Sequence, residues 1–202
     1  MSLSSQTIGS FLESLGDKTP TPGGGAVASV VAALGAELGR MVVSFSVGKK
    51  SFAEHAEAHG LALEHLRGLA GRALDLAEAD ARAYGALNAL WKLADDDPKR
   101  VAEWRGAVDA AIAAPRDILA TAVEILDQLD VLRGNTSRML RSDLAIGAVL
   151  AEAAARAAVW NVRINLPLLT DEAAAEALEA ETAAALDDVG RRVRDLETAC
   201  RS

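Results

Sequence analysis

Residues 26–46 are apolar on nearly every side, and this pattern constrains the fold of the chain more than any other. A helix with one apolar stripe lies on the surface of a protein, whereas a helix that is apolar all round is enclosed by other elements. Small residues recur within the segment every three or four positions, among them Ala28, Ala32, Ala36 and Gly39. Such spacing lets two helix backbones approach closely. The segment therefore predicts a buried central helix.

Helical periodicity continues along the rest of the chain, and no segment shows sustained alternation with a period of two. The predicted helical segments are residues 4–15, 26–46, 51–94, 98–113, 116–132, 137–166 and the stretch from TDEA at 170–173 to the C-terminus, with a break at Pro115. Aromatic residues make up only 3% of the chain, which favours closely packed helices over sheets. We therefore predict one all-α domain over residues 1–202, with about seven helices around the central one.

Charge and cysteine content narrow the possible partners. The net charge is −8, which argues against nucleic acid because phosphate binding needs a basic face. Glu37 and Arg40 interrupt the apolar run near its middle and argue against a membrane span. Cys200 is the one cysteine, so no intrachain disulfide can form, as is typical of cytoplasmic proteins. We expect a cytoplasmic protein that binds neither membrane nor nucleic acid.

Common catalytic and metal motifs are missing or incomplete. The PGGG stretch at 22–25 lacks the Lys-Ser/Thr pair of a phosphate-binding P-loop. His55 and His59 stand four residues apart, a spacing that can place two imidazoles on one metal, but their surroundings are polar and a third ligand is not evident. We expect both histidines to lie on a solvated helix face, and we expect no metal site.

One face of the late helical segment carries polar groups at both ends. Asp143, Gly147, Ala154, Asn161 and Asn165 follow one another at helical steps on that face. Spacing alone leaves two interpretations open. Asp143 and the asparagines either cap helices and satisfy nearby backbone groups, or they form part of a ligand site.

Several short motifs together resemble one known family. They are PTPGGGAVAS at 20–29, SVGKKSF at 46–52, ADARAYGAL at 79–87, Pro115, GN at 134–135, SD at 142–143 and NVRINL at 161–166. In this order the chain resembles the formiminotetrahydrofolate cyclodeaminase and methenyltetrahydrofolate cyclohydrolase family over nearly its whole length. Two differences stand out: Ala26 occupies a position where many relatives have serine, and the loop between GN and SD is longer than expected, which leaves Asn135 only weakly matched.

The resemblance implies an all-helical dimer that acts on a tetrahydrofolate derivative without a further cofactor. It implies either of two reactions at the carbon between N5 and N10, cyclodeamination or cyclohydrolysis; the alternative is a non-catalytic helical dimer that binds folate or a related heterocycle. Asp143 and Asp80 are the candidate proton-transfer residues, since a buried carboxylate can act as acid or base. The residues that would contact substrate are Pro22, Gly23, Gly24, Gly25, Lys49, Asn161, Arg163 and Asn165.

Helix geometry constrains how these residues can meet. Asp143 and Asn161 are 18 residues apart, which corresponds to about 27 Å along a straight helix. One small reacting centre cannot contact both within one chain. We therefore expect sites at a dimer interface, where a two-fold axis brings Asp143 of one copy near Asn161 of the other.

Overall fold

The computed structural model describes residues 3–201 of the chain. Six α-helices occupy most of these residues: α1 (Ile8–Gly16), α2 (Gly24–Ser44), α3 (Ala56–Trp91), α4 (Pro98–Leu132), α5 (Arg141–Asn165) and α6 (Glu172–Arg201). Short 3₁₀ turns lie at Leu3–Ser5, Lys50–His55, Arg138–Leu140 and Leu166–Leu168, and the described residues include no strand. The all-α prediction is confirmed.

Helices α2 to α5 form an antiparallel four-helix bundle. α2 packs between α3 and α5, and α4 packs against the same two helices from the opposite corner. α6 lies on the outside of the bundle, mainly against α5. The beginning of α2 therefore lies beside the end of α3 and the end of α5, and this end of the bundle holds the site described below.

Small residues bring α2 and α5 into backbone contact, as the spacing in the sequence predicts. A Cβ atom added at Gly35 would lie 3.1 Å from the carbonyl oxygen of Gly147 on α5. One turn further along α2, a Cβ at Gly39 would overlap Cδ2 of Leu129 from α4. Ala28, which is fully buried, continues the same packing toward the start of α2. The prediction of a buried central helix is confirmed.

The break predicted at Pro115 is wrong. α4 continues through this proline from Pro98 to Leu132, so the described residues contain six α-helices rather than about seven. Proline has no N–H to donate to the carbonyl four residues earlier, which is that of Ala111. The side-chain nitrogen of Asn165 on α5 donates to that carbonyl at 2.8 Å. A side chain from a neighbouring helix thus replaces the hydrogen bond that the proline removes.

The helix ends follow local sequence rules more closely than the interior of α4 does at Pro115. Asp97 caps α4 by accepting from the backbone N–H of Lys99 at 2.8 Å, as predicted from the Asp-Pro pair. Thr7 caps α1 in the same way, accepting from the N–H of Ser10. The third helix begins at Ala56 rather than near residue 51, because residues 50–55 form a 3₁₀ turn that contains a non-helical Phe52.

Two segments, Gly24–Ser44 and Arg138–Leu168, are long and apolar enough to cross a membrane by length and composition. Both belong to the bundle in this fold. The interior of the protein therefore accounts for part of their apolar surface, since 56% of an apolar 18-residue stretch in the first and 44% of one in the second is buried.

Candidate active site

A cleft of about 700 Å³ opens at the end of the bundle where α2 begins. The loop before α2 and the cleft-facing sides of α3 and α5 form most of its wall. Its lining includes Leu3, Gln6, Ser14, Asp17, Thr19, Pro20, Thr21, Pro22, Gly23, Gly24, Gly25, Ala26, Ala77, Glu78, Asp80, Ala81, Tyr84, Trp91, Ala111, Asn161, Ile164, Asn165 and Leu168. The volume is within the range of small-molecule sites.

Asp80 points its carboxylate at the first turn of α2. A Cβ atom added at Gly25 would overlap both carboxylate oxygens of Asp80, so only glycine leaves room for this side chain. Burial raises the pKa of Asp80 above its ordinary value. Among the described residues the carboxylate makes neither a hydrogen bond nor an ion pair. Asp80 is therefore positioned and available for proton transfer.

Asn161 lies on the opposite wall, beside Gly24. A Cβ atom at Gly24 would lie 3.1 Å from Oδ1 of Asn161, so this glycine also leaves room for a polar side chain. The side-chain nitrogen of Asn161 is buried and has no hydrogen-bond partner within the described part of the chain. A buried donor of this kind favours a ligand with an acceptor at that place.

Asn165 is one turn further along α5 and also lines the cleft. Its side-chain nitrogen donates to the carbonyls of Ala111 and Asn161, at 2.8 and 3.0 Å. For Asn165, this agrees with the interpretation that the asparagines satisfy backbone groups. Asn165 thus joins α4 to α5 and offers the cleft its remaining oxygen.

The lining of the cleft is acidic. Asp17, Glu78 and Asp80 contribute carboxylates, and no lysine or arginine lines the cleft in the described chain. Glu78 already has partners: its Oε1 atom accepts from the backbone N–H of Leu3 at 3.2 Å, and its Oε2 atom lies 3.8 Å from Nη1 of Arg82. The cleft therefore favours a ligand group that carries positive charge.

Three predicted site residues lie outside this cleft. Asp143 is in the first turn of α5, at the opposite end of the bundle, where the helix N-terminus stabilises its charge. Lys49 is exposed beyond the end of α2, also at that far end. Arg163 faces α6 and pairs with both carboxylate oxygens of Glu179, at 2.6 to 3.1 Å. Within one chain the structure does not bring these three residues to Asp80.

The histidine prediction is wrong for one residue. His59 is buried, with 1% of its surface exposed, and its Nε2 atom lies 2.8 Å from the carbonyl oxygen of Asn135. Asn135 thus holds a loop against α3 at the far end of the bundle and does not line the cleft. No group of three or more His, Cys, Asp or Glu residues in the described chain is arranged to hold a metal ion.

Sequence reasoning missed two aromatic residues of the cleft. Tyr84 is four residues after Asp80 on α3, and Trp91 is seven residues after Tyr84. This spacing places all three on one side of the helix. This spacing was visible in the sequence. What was not visible is that this side of α3 faces an open cleft rather than the core.

Comparisons with known proteins agree with this arrangement. A family profile described as formiminotransferase-cyclodeaminase matches residues 7–184. The chicken formimidoyltransferase-cyclodeaminase is 30% identical over 174 residues, which cover 84% of this chain and 32% of that protein. The methenyltetrahydrofolate cyclohydrolase of Methylorubrum extorquens is 29% identical over 175 residues, covering 85% of this chain and 84% of that protein.

A solved structure extends the similarity to the whole fold. The formiminotetrahydrofolate cyclodeaminase of Thermotoga maritima superposes with a TM-score of 0.87 at 25% identity, covering 98% of this chain and 99% of that one. The chain spans about a third of the length of the formimidoyltransferase-cyclodeaminases that it matches. The family predicted from the short motifs is confirmed: the chain belongs to the formiminotransferase-cyclodeaminase family.

Proposed function

We propose that this protein is a cytoplasmic folate enzyme that acts at the carbon bridging N5 and N10 of tetrahydrofolate. The reaction is either cyclodeamination of 5-formimino-tetrahydrofolate, which releases ammonia, or cyclohydrolysis of 5,10-methenyl-tetrahydrofolate. One observation carries the proposal: Asp80, whose carboxylate has no partner within the described chain and whose pKa is raised by burial, faces a cleft of suitable size. The names of the family's enzymes support the same substrate class.

The charge of the cleft supports this choice of substrate. The formimino group is a basic amidine that becomes an amidinium cation when protonated, and the methenyl bridge is an amidinium-type cation as such, so positive charge is shared by the reacting carbon in both substrates. Three carboxylates and no basic side chain line the cleft in the described chain. Opposite charges within a few ångströms attract strongly in a site that excludes water. A scaffold protein has no need for such a cleft.

Asp80 supplies the proton transfers that both reactions need. In cyclohydrolysis, water adds to the bridge carbon and loses a proton to the Asp80 carboxylate. The same proton then reaches the nitrogen that leaves when one C–N bond opens, and the hydroxyl proton of the adduct passes to solvent as the formyl C=O forms. In cyclodeamination, N10 attacks the formimino carbon and loses its proton to the Asp80 carboxylate, and the acid form so produced returns that proton to the nitrogen that leaves as ammonia. A raised pKa suits both roles because the group must gain and lose a proton near neutral pH. Neither reaction changes an oxidation state, so no redox cofactor is required.

A second copy of the chain completes the proposed site. Large apolar side chains are exposed along the outer sides of two adjacent helices: Leu34 on α2, Phe45 directly after its end, and Ile146, Val149, Trp160 and Ile164 on α5. Between Ile146 and Ile164 the only charged residue of α5 in the exposed class is Arg156. A continuous apolar surface of this kind is typical of a subunit interface. We therefore place the dimer contact on this α2–α5 surface.

Antiparallel pairing across the α2–α5 surface brings Asp143 of each copy close to the cleft of its partner. A two-fold axis near the middle of α5 places the first turn of one copy beside the last turn of the other. Asp143 of each copy then approaches the Asn161 end of its partner. The pairing gives two equivalent sites, each with Asp80 and Asn161 from one chain and Asp143 from the other.

The direct test is an assay on the purified protein. Both 5-formimino- and 5,10-methenyl-tetrahydrofolate are offered while the methenyl absorbance is followed. Growth of the absorbance with the first substrate identifies a cyclodeaminase, and faster loss with the second than in buffer identifies a cyclohydrolase. Turnover of neither, with binding of both by calorimetry, identifies a non-catalytic folate protein. Neither turnover nor binding removes the proposal.

Mixed dimers test the shared site separately. Asp80→Asn and Asp143→Asn proteins are each expected to be inactive and folded. After mixing by unfolding and refolding, half of the dimers contain one chain of each kind, and each has one site with both carboxylates intact. Recovery of about a quarter of wild-type activity is the expected result for two-fold symmetric dimers. A mixture that stays inactive, or a fully active Asp143→Asn protein, contradicts the shared site.

A further inference from the structure

The cleft continues along α3 beyond Asp80 and carries two aromatic rings. Tyr84 and Trp91 lie about 6 Å and about 16 Å further along the helix axis. Both line the cleft, and they remain 41% and 42% exposed. The chain contains only seven Phe, Trp and Tyr residues, and two of these seven face the same cleft. We call Tyr84 and Trp91 the aromatic wall.

Exposed aromatic rings that line a cleft gain stabilisation when a ligand covers them. Burial of a large aromatic side chain contributes about 2–3 kcal/mol relative to leaving it exposed. Neither the Tyr84 hydroxyl nor the Trp91 indole N–H has a hydrogen-bond partner in the described part of the chain. The aromatic wall therefore offers both apolar area and unused donors to whatever enters the cleft.

Trp91 is held in place by its contact with Trp104, which Arg100 supports in turn. Its ring packs against that of Trp104 at 6.2 Å between centroids and an angle of 67°. The guanidinium of Arg100 lies 4.8 Å from the centre of the Trp104 ring. Arg100 is itself fixed, since it donates to the carbonyl of Leu93 at 2.8 Å and pairs with Asp95 at 2.7 Å. Such a preorganised ring loses little conformational freedom when a ligand stacks on it.

The order of groups along the cleft matches the order of groups in a reduced folate. Asp80 and Asn161 mark the reacting end, where the bridge carbon and the hydrogen-bonding pteridine belong. The next group in the molecule, attached to N10, is the planar p-aminobenzoyl ring, followed by the glutamate. No lysine or arginine lines the cleft in the described residues, so the glutamate carboxylates leave it at the mouth.

Resting on the proposed function, we infer that the aromatic wall binds the p-aminobenzoyl ring and thereby positions the bridge carbon at Asp80. Tyr84 contacts the ring near N10, and Trp91 contacts its outer, amide-bearing end. Both are positioning and specificity residues: they select for a complete folate over a free pteridine. Offset or edge-on contacts between aromatic rings are favourable, and stacking on a ligand ring contributes about 1–3 kcal/mol.

Fragments of the substrate test the orientation without requiring turnover. p-Aminobenzoylglutamate and a tetrahydropterin without the benzoyl group are titrated separately while tryptophan fluorescence is recorded. We expect p-aminobenzoylglutamate to change the emission of the wild type. We expect no change in Trp91→Phe. A response to p-aminobenzoylglutamate that persists in Trp91→Phe, or a Trp91-dependent response to the pterin alone, overturns the inference.

Kinetics test the positioning role in the complete enzyme. Trp91→Ala and Tyr84→Ala are expected to raise KM for the active folate substrate by about tenfold to a hundredfold and to change kcat little. Trp104→Phe should give a smaller rise in KM, because it loosens the support of Trp91. Circular dichroism and Tm confirm that each variant is folded. Wild-type KM values in both alanine variants overturn the inference, whereas a wild-type protein that turns over neither substrate overturns the proposed function instead.

Discussion

The glycines of α2 and those of α3 look alike in the sequence but have different roles. In α2, a Cβ atom at Gly24, Gly25, Gly35 or Gly39 would press on a polar side chain of the cleft, a helix backbone or a core leucine. In α3, a Cβ atom at Gly60, Gly68, Gly71 or Gly85 would meet nothing within 4 Å. The two helices lie against each other in the same bundle. A glycine in a helix is therefore informative only when its neighbours are known.

The difference separates three uses of glycine. Gly24 and Gly25 make room for Asn161 and Asp80, so they belong to the site. Gly35 and Gly39 make room for neighbouring elements of the core. The α3 glycines make room for nothing in the described structure, and each costs about 1 kcal/mol relative to alanine. Five predictions test these assignments.

The largest effect is expected from Asp80→Asn, which removes the group that Gly25 accommodates. Asparagine keeps the shape of the side chain and cannot accept or return a proton. We expect kcat with the active folate substrate to fall by about 10²- to 10⁴-fold. A rate within threefold of wild type would show that Asp80 is not the proton-transfer group.

The same variant gives a prediction on stability with a defined sign. Burial raises the pKa of Asp80 in the folded protein. The stability contributed by its protonated form is fully present below the pKa of the unfolded chain and is lost as pH rises through the folded pKa. We expect Asp80→Asn to melt at or above the wild-type Tm near pH 7, and the difference to vanish in acid. A lower Tm near pH 7 would indicate that the ionised carboxylate stabilises the fold.

Gly25→Ala is expected to have the next largest effect, and to affect activity rather than stability. The added methyl group displaces the Asp80 carboxylate, and a displacement of about 1 Å can lower a rate by about a hundredfold. Alanine is favoured over glycine within a helix, so the fold should not suffer. Steady-state rates and Tm measured on the same preparation check both parts. Full activity would show that Gly25 does not fix the position of Asp80.

Gly39→Ala should act in the opposite way. Its methyl group meets Leu129 inside the core, and overpacking costs typically 1–3 kcal/mol. For a chain of this size each kcal/mol corresponds to about 2–4 °C in Tm. Gly39 is about 21 Å along α2 from Gly25, so the folded variant should keep its KM and kcat. Loss of activity at unchanged Tm would contradict this assignment.

The smallest effect is expected at Gly60 and Gly68 of α3. Their replacement by alanine meets open space and removes the conformational freedom of glycine from the unfolded chain. Each change should raise the free energy of unfolding by about 0.5–1 kcal/mol and leave activity unchanged. Denaturant titration measures the gain. A loss of stability would mean that α3 needs glycine at these places for a reason that its contacts do not show.

Local chemistry was predictable from the sequence wherever the cause lies within a few residues. The cap at Asp97 is an example, because the side chain bonds to the next two N–H groups of its own helix. The break at Pro115 was predicted from equally local reasoning and was wrong. The missing hydrogen bond is replaced by Asn165, 50 residues later in the chain, and no local rule includes that residue.

The candidate site residues also show which predictions local motifs can support and which depend on distant contacts. Asp80, Asn161 and the glycines were identified from motifs, and the structure brings them together. Lys49, Arg163 and Asp143 were also identified as candidates and lie elsewhere in the chain's own fold. Their placement depends on the antiparallel order of α2 and α5 and on the pairing of Arg163 with Glu179.

By itself the sequence determined that the chain is helical, that the small residues of α2 pack into the interior, and that the family is the one the comparisons found, because helix periodicity and short motifs are patterns of consecutive residues. Only the tertiary structure decided that Gly25 leaves room for the Asp80 carboxylate and that Asn165 donates to the carbonyl of Ala111. It also decided that Tyr84 and Trp91 face a cleft. These facts depend on contacts between residues 50 or more positions apart, and packing alone selects which distant residues meet.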